Sequence, residues 1–188
     1  MNIMPTEVIN LPFLDAETGA YNVIIETPKG SRNKYSYDEE LRLYKLKGVL
    51  PAGASFPYDF GFLPSTHGED GDPIDVLVLM DEPAYPGVLV PARLIGVIAA
   101  EQTEEGNTVR NDRLLAVSSV SKTHQSLQDI QDLDEQLLTE IEHFFKSYNQ
   151  IKGYNFEVVG RYGSSKAAKL VADGGKLFQQ KEQEEQQK

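Results

Sequence analysis

The sequence predicts a β-rich α+β fold, with strands in roughly the first two thirds of the chain and helices at the end. Short apolar segments separated by Gly and Pro run from residue 21 to residue 117, which is typical of many short strands. Beyond them, apolar residues recur at three- and four-residue spacing between Leu127 and Tyr148, which indicates an amphipathic helix. This combination favours a small barrel or sandwich with added helices.

Each strand is predicted from its own pattern. The segment Ile74–Met80 is apolar at odd and even positions apart from Asp75, so we expect a strand that is buried on both faces. Residues 104–107 read Glu-Glu-Gly-Asn and predict a hairpin turn between two strands. The predicted strands, in order, are Val23–Glu26, Leu41–Val49, Ile74–Met80, Val88–Ala100 and Thr108–Val117.

Two helices follow. The first ends near Tyr148, and Gly153 provides a stop. The second covers Lys166–Phe178, capped by Ser164 or Ser165, although Gly174 and Gly175 weaken it. We predict a single domain over residues 1–178 and a flexible tail over residues 179–188.

Composition excludes several classes. The net charge of −11 disfavours binding of long nucleic acid, and no segment approaches the roughly 18 apolar residues that cross a membrane. No cysteine is present, and the N-terminus lacks the basic segment and apolar run of a secretory signal. These features are compatible with a cytoplasmic protein.

Charge is distributed unevenly along the chain. Residues 59–82 carry seven acids and no Lys or Arg, whereas residues 29–47 carry six bases and three acids. An acidic segment beside a basic one suits a site that holds metal cations next to a polyanion.

The main chemical motif is Glu69-Asp70-Gly71-Asp72-Pro73-Ile74-Asp75, directly before a predicted buried strand. Clustered carboxylates repel one another unless cations intervene, and Mg²⁺ prefers oxygen ligands. The alternative interpretation is an Asp-rich surface turn. An EF-hand is disfavoured because Pro73 and Ile74 interrupt its ligand spacing.

The motif Asp70-Gly71-Asp72-Pro73-Ile74-Asp75-Val76 resembles the signature of the soluble (family I) inorganic pyrophosphatases. Four further segments resemble that family in the same order, over about Tyr21 to Ala168. They are Ile24–Pro28, Ser31–Tyr35, Phe56–Phe62 and Ile141–Tyr148. The resemblance implies a five-stranded OB-type β-barrel core with flanking C-terminal helices. It also implies hydrolysis of inorganic pyrophosphate to two phosphates by a metal-activated water, in a homo-oligomer that is often a hexamer.

The resemblance also assigns roles to individual residues. It implies that Asp72 is the general base and that Mg²⁺, with Mn²⁺ or other divalent metals as alternatives, binds at four acids. Two of these acids are Asp70 and Asp75. The other two lie on the hairpin, where Glu101 with Glu104 as alternative, and Asp112 with Asn111 as alternative, fit the family pattern. The implied substrate-binding residues are Glu26, Lys34, Lys47, Arg113 and Tyr148.

The chain departs from the family pattern at several positions. Ser36 replaces a common Glu, Phe56 and Phe60 replace tyrosines, and Asn149 replaces a common Lys. Lys47 stands for an Arg and aligns only with a one-residue gap. We expect an active enzyme in which Arg110, Arg113, Tyr58 or Lys152 covers the lost phosphate contacts. The alternative is a catalytically impaired homologue that binds metal, phosphate or a partner.

Overall fold

The computed structural model describes residues 7–185, which form nine strands and two α-helices among the described residues. The strands are β1 (Tyr21–Thr27), β2 (Asn33–Asp38), β3 (Leu43–Val49), β4 (Asp59–Phe62), β5 (Asp75–Leu79), β6 (Leu89–Glu104), β7 (Asn107–Arg110), β8 (Arg113–Ser118) and β9 (Asn155–Gly163). The helices are α1 (Glu135–Ile151) and α2 (Ser164–Glu185). The predicted β-rich α+β class is therefore confirmed.

Five strands pair into a closed ring in the order β1, β4, β5, β8, β6, with β6 pairing back to β1. All of these pairs are antiparallel except β5 with β8. β7 and β9 extend the sheet by pairing with β6, while β2 and β3 form a separate hairpin. This arrangement supplies the five-stranded core that the family resemblance implies.

The central strands are buried on both faces, as the apolar pattern of Ile74–Met80 predicts. In β5, Leu77 and Leu79 join a cluster with α1 residues such as Ile141, whereas Val76 and Val78 join a second cluster with α2 residues such as Val171. Successive side chains of a strand point to opposite faces. Each helix therefore covers one face of the strands.

Helix α1 starts later than the apolar spacing predicts. Asp134 caps it by accepting the N–H groups of Gln136 and Leu137, so the helix begins at Glu135 rather than at Leu127. The preceding apolar residues instead flank a 3₁₀ turn at Ile130–Asp132, which Asp129 caps. The predicted stop is confirmed, because Gly153 has φ +85°.

Helix α2 packs closely on the loop that carries the Asp-rich motif, and its two glycines make this possible. A Cβ on Gly174 would lie 2.5 Å from Ile74 Cδ1 and 2.9 Å from the His67 carbonyl oxygen, and a Cβ on Gly175 would lie 2.8 Å from Phe13 Cε1. The His67 N–H also donates to the Gly174 carbonyl. Gly174 and Gly175 thus stay helical because close packing outweighs their low helix propensity.

Several predicted boundaries differ from the observed ones. β2, β4 and β9 are not predicted, and the predicted strand Thr108–Val117 is divided into β7 and β8 at Asn111 and Asp112. Helix α2 extends to Glu185, into the predicted tail, of which residues 186–188 lie outside the described part. The division into a domain and a flexible tail stays a prediction. No helix within residues 7–185 combines the length and apolar character needed to span a membrane.

We predict that Gly174→Ala lowers the free energy of unfolding by about 1–3 kcal/mol, because the new methyl group forces α2 away from the Asp-rich loop. Alanine normally stabilises a helix relative to glycine, so the sign is diagnostic. Urea denaturation measures the change, with Gly48→Ala as control, since a Cβ there meets nothing within 4 Å. A stabilised Gly174→Ala variant would show that the packing is looser than described.

Candidate functional site

A cavity of about 750 Å³ opens between the Asp-rich loop, the β2–β3 hairpin, the β6–β7 hairpin and the end of α1. It joins a carboxylate side to a cationic side. Eight of the predicted site residues line it, namely Glu26, Lys34, Lys47, Asp70, Asp72, Asp75, Arg113 and Tyr148. The structure therefore brings together residues that are up to 122 positions apart in the sequence (148 − 26 = 122).

The Asp-rich loop is compact. Gly71 has φ +88°, which a glycine adopts without strain, and the Gly68 N–H donates to the Asp72 carbonyl at 2.8 Å. The carboxylate of Asp70 folds back over this loop, where it accepts the Asp72 N–H at 3.2 Å. The pKa of Asp70 is raised, first by desolvation of its carboxyl group and secondly by the negative charge of Asp72. The residue as a whole is nevertheless exposed. Asp70 and Asp72 form no ion pair within residues 7–185, so they are available to a cation.

Asp75 and Arg113 are neighbours because β5 and β8 run parallel. Val76 is paired with Leu114, so the residues just before them lie side by side, and Arg113 Nη1 approaches Asp75 Oδ2 at 2.8 Å. The Asp75 side chain lines the cavity and is 26% exposed. Desolvation raises the pKa of Asp75 to about 6, against the opposing effect of Arg113.

Glu26 and Lys34 form a second buried ion pair, with Lys34 Nζ 2.9 Å from Glu26 Oε2. Glu26 lies at a register shift between β1 and β4, where Ile25 pairs with Gly61 and Thr27 with Phe60. A β-bulge redirects a side chain in this way next to many active sites. Lys47 lies at a similar shift between β3 and β2.

An aromatic cluster packs beneath the cavity, and two of its members, Phe60 and Tyr148, line it. We call it the aromatic floor, and it comprises Phe56, Phe60, Phe144, Phe145, Tyr148 and Phe156. Lys34 Nζ lies 4.3 Å from the Phe60 ring centroid, and the Arg113 guanidinium carbon lies 5.1 Å from that of Phe145. Such cation–π contacts stabilise positive charge that has lost part of its water. The Tyr148 hydroxyl is buried, and no hydrogen-bond partner for it occurs in the described part of the chain.

The remaining two predicted metal ligands are held by Arg110. Its Nη2 lies 2.7 Å from Asp112 Oδ1, and its Nη1 lies 3.9 Å from Glu101 Oε1. Asp112 also accepts the Ala100 N–H at 2.9 Å and faces a second cavity beside α2. Neither acid lines the main cavity, whereas their sequence alternatives Glu104 and Asn111 both do.

The main cavity also contains residues that the sequence did not indicate. Gln102 and Tyr154 line it, and Gln102 Oε1 accepts from Asn111 Nδ2 at 3.0 Å. The oxygen of the Asn111 amide in turn accepts from Arg113. The alternation of side chains along β6 could have indicated Gln102, because it lies two positions from Glu104 and such residues point to the same face of a strand. The sequence could not have indicated Tyr154, because its place in the cavity depends on how the chain passes from α1 to β9.

The departures from the family pattern have distinct structural roles. Phe56 and Phe60 are buried in the aromatic floor, and Ser36 lines the cavity without a charge. Asn149 is 2% exposed, and its side chain donates to the Phe145 carbonyl at 2.9 Å. The Asn149 amide is therefore engaged within α1.

Divalent cations suit the carboxylate side of the cavity. Among residues 7–185, no three acidic or His side chains converge into a complete ligand set. Mg²⁺ is commonly bound by one or two carboxylates, with water and substrate phosphates as its other ligands. The uncompensated Asp70 and Asp72, together with the desolvated Asp75, fit that mode of binding.

Comparisons with known proteins agree with this geometry. The family model described as "Inorganic pyrophosphatase" matches residues 23–179, a range that includes every predicted site residue. The inorganic pyrophosphatase of Leifsonia xyli subsp. xyli is 38% identical over 156 residues, covering 83% of this chain and 93% of that protein. The crystal structure of the Thermus thermophilus inorganic pyrophosphatase aligns with a TM-score of 0.84 at 35% identity, covering 92% of this chain and 99% of that chain. The corresponding structure from Neisseria gonorrhoeae has a TM-score of 0.79 at 29% identity, covering 90% and 96%.

We predict that Arg113→Met raises the pKa of Asp75 further above 6 in metal-free protein, because the nearest opposing charge is lost while the carboxyl stays desolvated. Carbon-13 NMR titration of the Asp carboxyls measures this shift. Arg110→Met is the matched control, since Arg110 pairs with Asp112 and Glu101 instead. An Asp75 pKa that stays at its original value in Arg113→Met would contradict the assigned pairing.

Proposed function

The chain belongs to the inorganic pyrophosphatase family, and from this we infer that it hydrolyses inorganic pyrophosphate to two phosphates. The observation that carries this function is the main cavity, in which the unpaired carboxylates of Asp70 and Asp72 face a group of cations, two of them held by ion pairs. Pyrophosphate is a compact polyanion, and its hydrolysis needs cations on its oxygens and a base for the attacking water. The impaired-homologue alternative gains no support from the relatives.

Asp72 is the proposed general base. It is exposed in the Asp-rich loop, lines the cavity, and has no cation partner within residues 7–185 that would hold its carboxylate. Its carboxylate oxygen would accept the proton of the attacking water. Placing a base within hydrogen-bond reach of that water contributes typically 10²–10⁴-fold to the rate, in round figures.

Lys34, Lys47, Arg113 and Tyr148 are the proposed phosphate-binding residues, with Glu26 positioning Lys34. The Tyr148 hydroxyl has no acceptor within the described chain, and a phosphate oxygen would supply one. Glu26 anchors Lys34, and the Asn111 side chain and the Phe145 ring contact Arg113, so both cations are preorganised. Preorganised charge stabilises the transition state without reorganisation during the reaction.

The enzyme requires a divalent metal as a member of this family, and we propose Mg²⁺ with Asp70 and Asp75 as ligands. A bound divalent cation would neutralise substrate oxygens and lower the pKa of a coordinated water. For the hairpin ligands, cavity position supports Glu104 and Asn111 over the first choices Glu101 and Asp112, which Arg110 holds. A homo-oligomer, a hexamer by resemblance, and a cytoplasmic location are further proposals that rest on the sequence alone.

We predict that phosphate release from pyrophosphate requires a divalent cation and that Asp72→Asn lowers kcat by roughly 10²–10⁴-fold. Phosphate is measured with and without Mg²⁺. Glu82→Gln is the control, because Glu82 is an exposed acid of the same segment that lines neither cavity. No phosphate release by the unaltered chain with any divalent cation would overturn the proposed function.

A second prediction separates the two hairpin alternatives. Glu104→Gln should weaken Mg²⁺ binding on the order of tenfold, because it removes a cavity-facing carboxylate. Glu101→Gln should leave the affinity unchanged, because Glu101 lies outside the cavity beside Arg110. Isothermal titration calorimetry measures both variants, and the reverse result would restore Glu101 as the ligand.

A further inference from the structure

The cationic side of the cavity contains one lysine that the roles above leave unused. Four cations line the cavity: Lys34, Lys47, Arg113 and Lys152. Lys34 and Arg113 are each partly neutralised by a carboxylate at 2.9 and 2.8 Å. Lys152 forms no ion pair within the described part of the chain. It therefore offers a full positive charge to an anion in the cavity.

The structure also distinguishes among the residues that could replace the lost phosphate contacts. Arg110 is engaged by Asp112 and Glu101, and Tyr58 does not line the main cavity. Asn149 cannot take over, because its amide donates to the Phe145 carbonyl inside α1. Of the four candidates Arg110, Arg113, Tyr58 and Lys152, only Arg113 and Lys152 line the cavity, and Arg113 already has an assigned role.

Helix geometry directs Lys152 towards the cavity. Lys152 follows the last residue of α1 and lies four positions after Tyr148, which places both side chains on the same helix face. Its stem is exposed, but Nζ lies 4.3 Å from the centroid of the Tyr148 ring. The ammonium group of Lys152 and the unpartnered hydroxyl of Tyr148 thus belong to one corner of the cavity.

The charges around this corner favour an anion. The pKa of Lys152 is lowered by desolvation of the ammonium and then by repulsion from Lys34 and Arg113. An anion placed among these three cations would relieve that repulsion. A phosphate group has enough oxygens to accept from several of these donors at once.

We propose that Lys152 is a further substrate-binding residue, which holds a phosphate group of pyrophosphate together with Tyr148. The assignment rests on the proposed function for the identity of the anion. Lysine binds phosphate as a point charge on a flexible side chain, so its ammonium can adjust to the position of the phosphate. Lys152, which lies outside the family motif, thus supplies the positive charge that a Lys at position 149 would carry.

The test compares Lys152→Ala with Lys152→Arg and with Lys146→Ala, which removes an exposed lysine from the same helix. The probe is methylenediphosphonate, a pyrophosphate analogue with a non-hydrolysable bridge, titrated calorimetrically in the presence of Mg²⁺. Lys152→Ala should weaken binding on the order of tenfold, as expected for the loss of a charged hydrogen bond. Lys152→Arg should recover most of the affinity, and Lys146→Ala should match the unaltered chain.

Hydrolysis assays on the same proteins separate the two proposals. If Lys152→Ala binds the analogue as tightly as Lys146→Ala does, the assignment of Lys152 is overturned, whether or not pyrophosphate is hydrolysed. If the unaltered chain releases no phosphate while Lys152→Ala still weakens analogue binding, the proposed hydrolysis fails and the assignment of Lys152 stands. If Lys152→Ala melts at a lower temperature but binds the analogue with unchanged affinity, Lys152 has a structural role only. That result also overturns the proposal.

Discussion

The site depends on the contact between its cations and the aromatic floor. Lys34 lies over Phe60, Arg113 over Phe145 and Phe156, and Lys152 over Tyr148. These rings come from β4, β9 and α1, so the cationic side exists only when the helix is docked on the strands. Each ring offers its negative face to a cation that has lost water, which offsets part of the cost of burying charge. Part of the core therefore also supports the proposed substrate-binding surface.

Two ion pairs connect acids and cations of the cavity, while Asp70, Asp72 and Lys152 form none within residues 7–185. Lys34 pairs with Glu26 and Arg113 pairs with Asp75, so each of these proposed phosphate-binding cations contacts an acid. A metal cation at Asp75 would compete with Arg113 for that carboxylate and leave the guanidinium free for a phosphate oxygen. An anion at Arg113 would leave Asp75 freer for a cation by the same argument. Because such coupling is reciprocal, metal and substrate should bind more tightly together than separately.

The sequence predicted the parts of the structure that local patterns determine. The apolar residues of β5 and the turn at Gly106 have strong local signals, and the Asp-rich motif identified its loop. β4 was not predicted because it has only four residues, and Asp59 and Gly61 are two of them. Glycine is required at position 61, because a Cβ there would lie 2.0 Å from the Ile24 carbonyl oxygen. The choice between Glu101 and Glu104 depends on Arg110, which reaches Glu101 only through the β6–β7 pairing. Turn type and loop length set the register of a hairpin, and only that register shows that Arg110 faces Glu101.

The aromatic floor explains the positions at which the chain departs from the family pattern. Phenylalanine at positions 56 and 60 removes two hydroxyl groups that would otherwise need partners, since these side chains are 1% and 5% exposed. With those hydroxyls absent, the Phe56 and Phe60 rings face Lys34 Nζ, whose ion-pair partner is Glu26. Asn149 likewise donates its amide to the Phe145 carbonyl within α1, whereas Tyr148 and Lys152 are the residues proposed to contact the anion. The cavity thus keeps its cationic side with fewer polar groups, because apolar ring faces support the charges that remain.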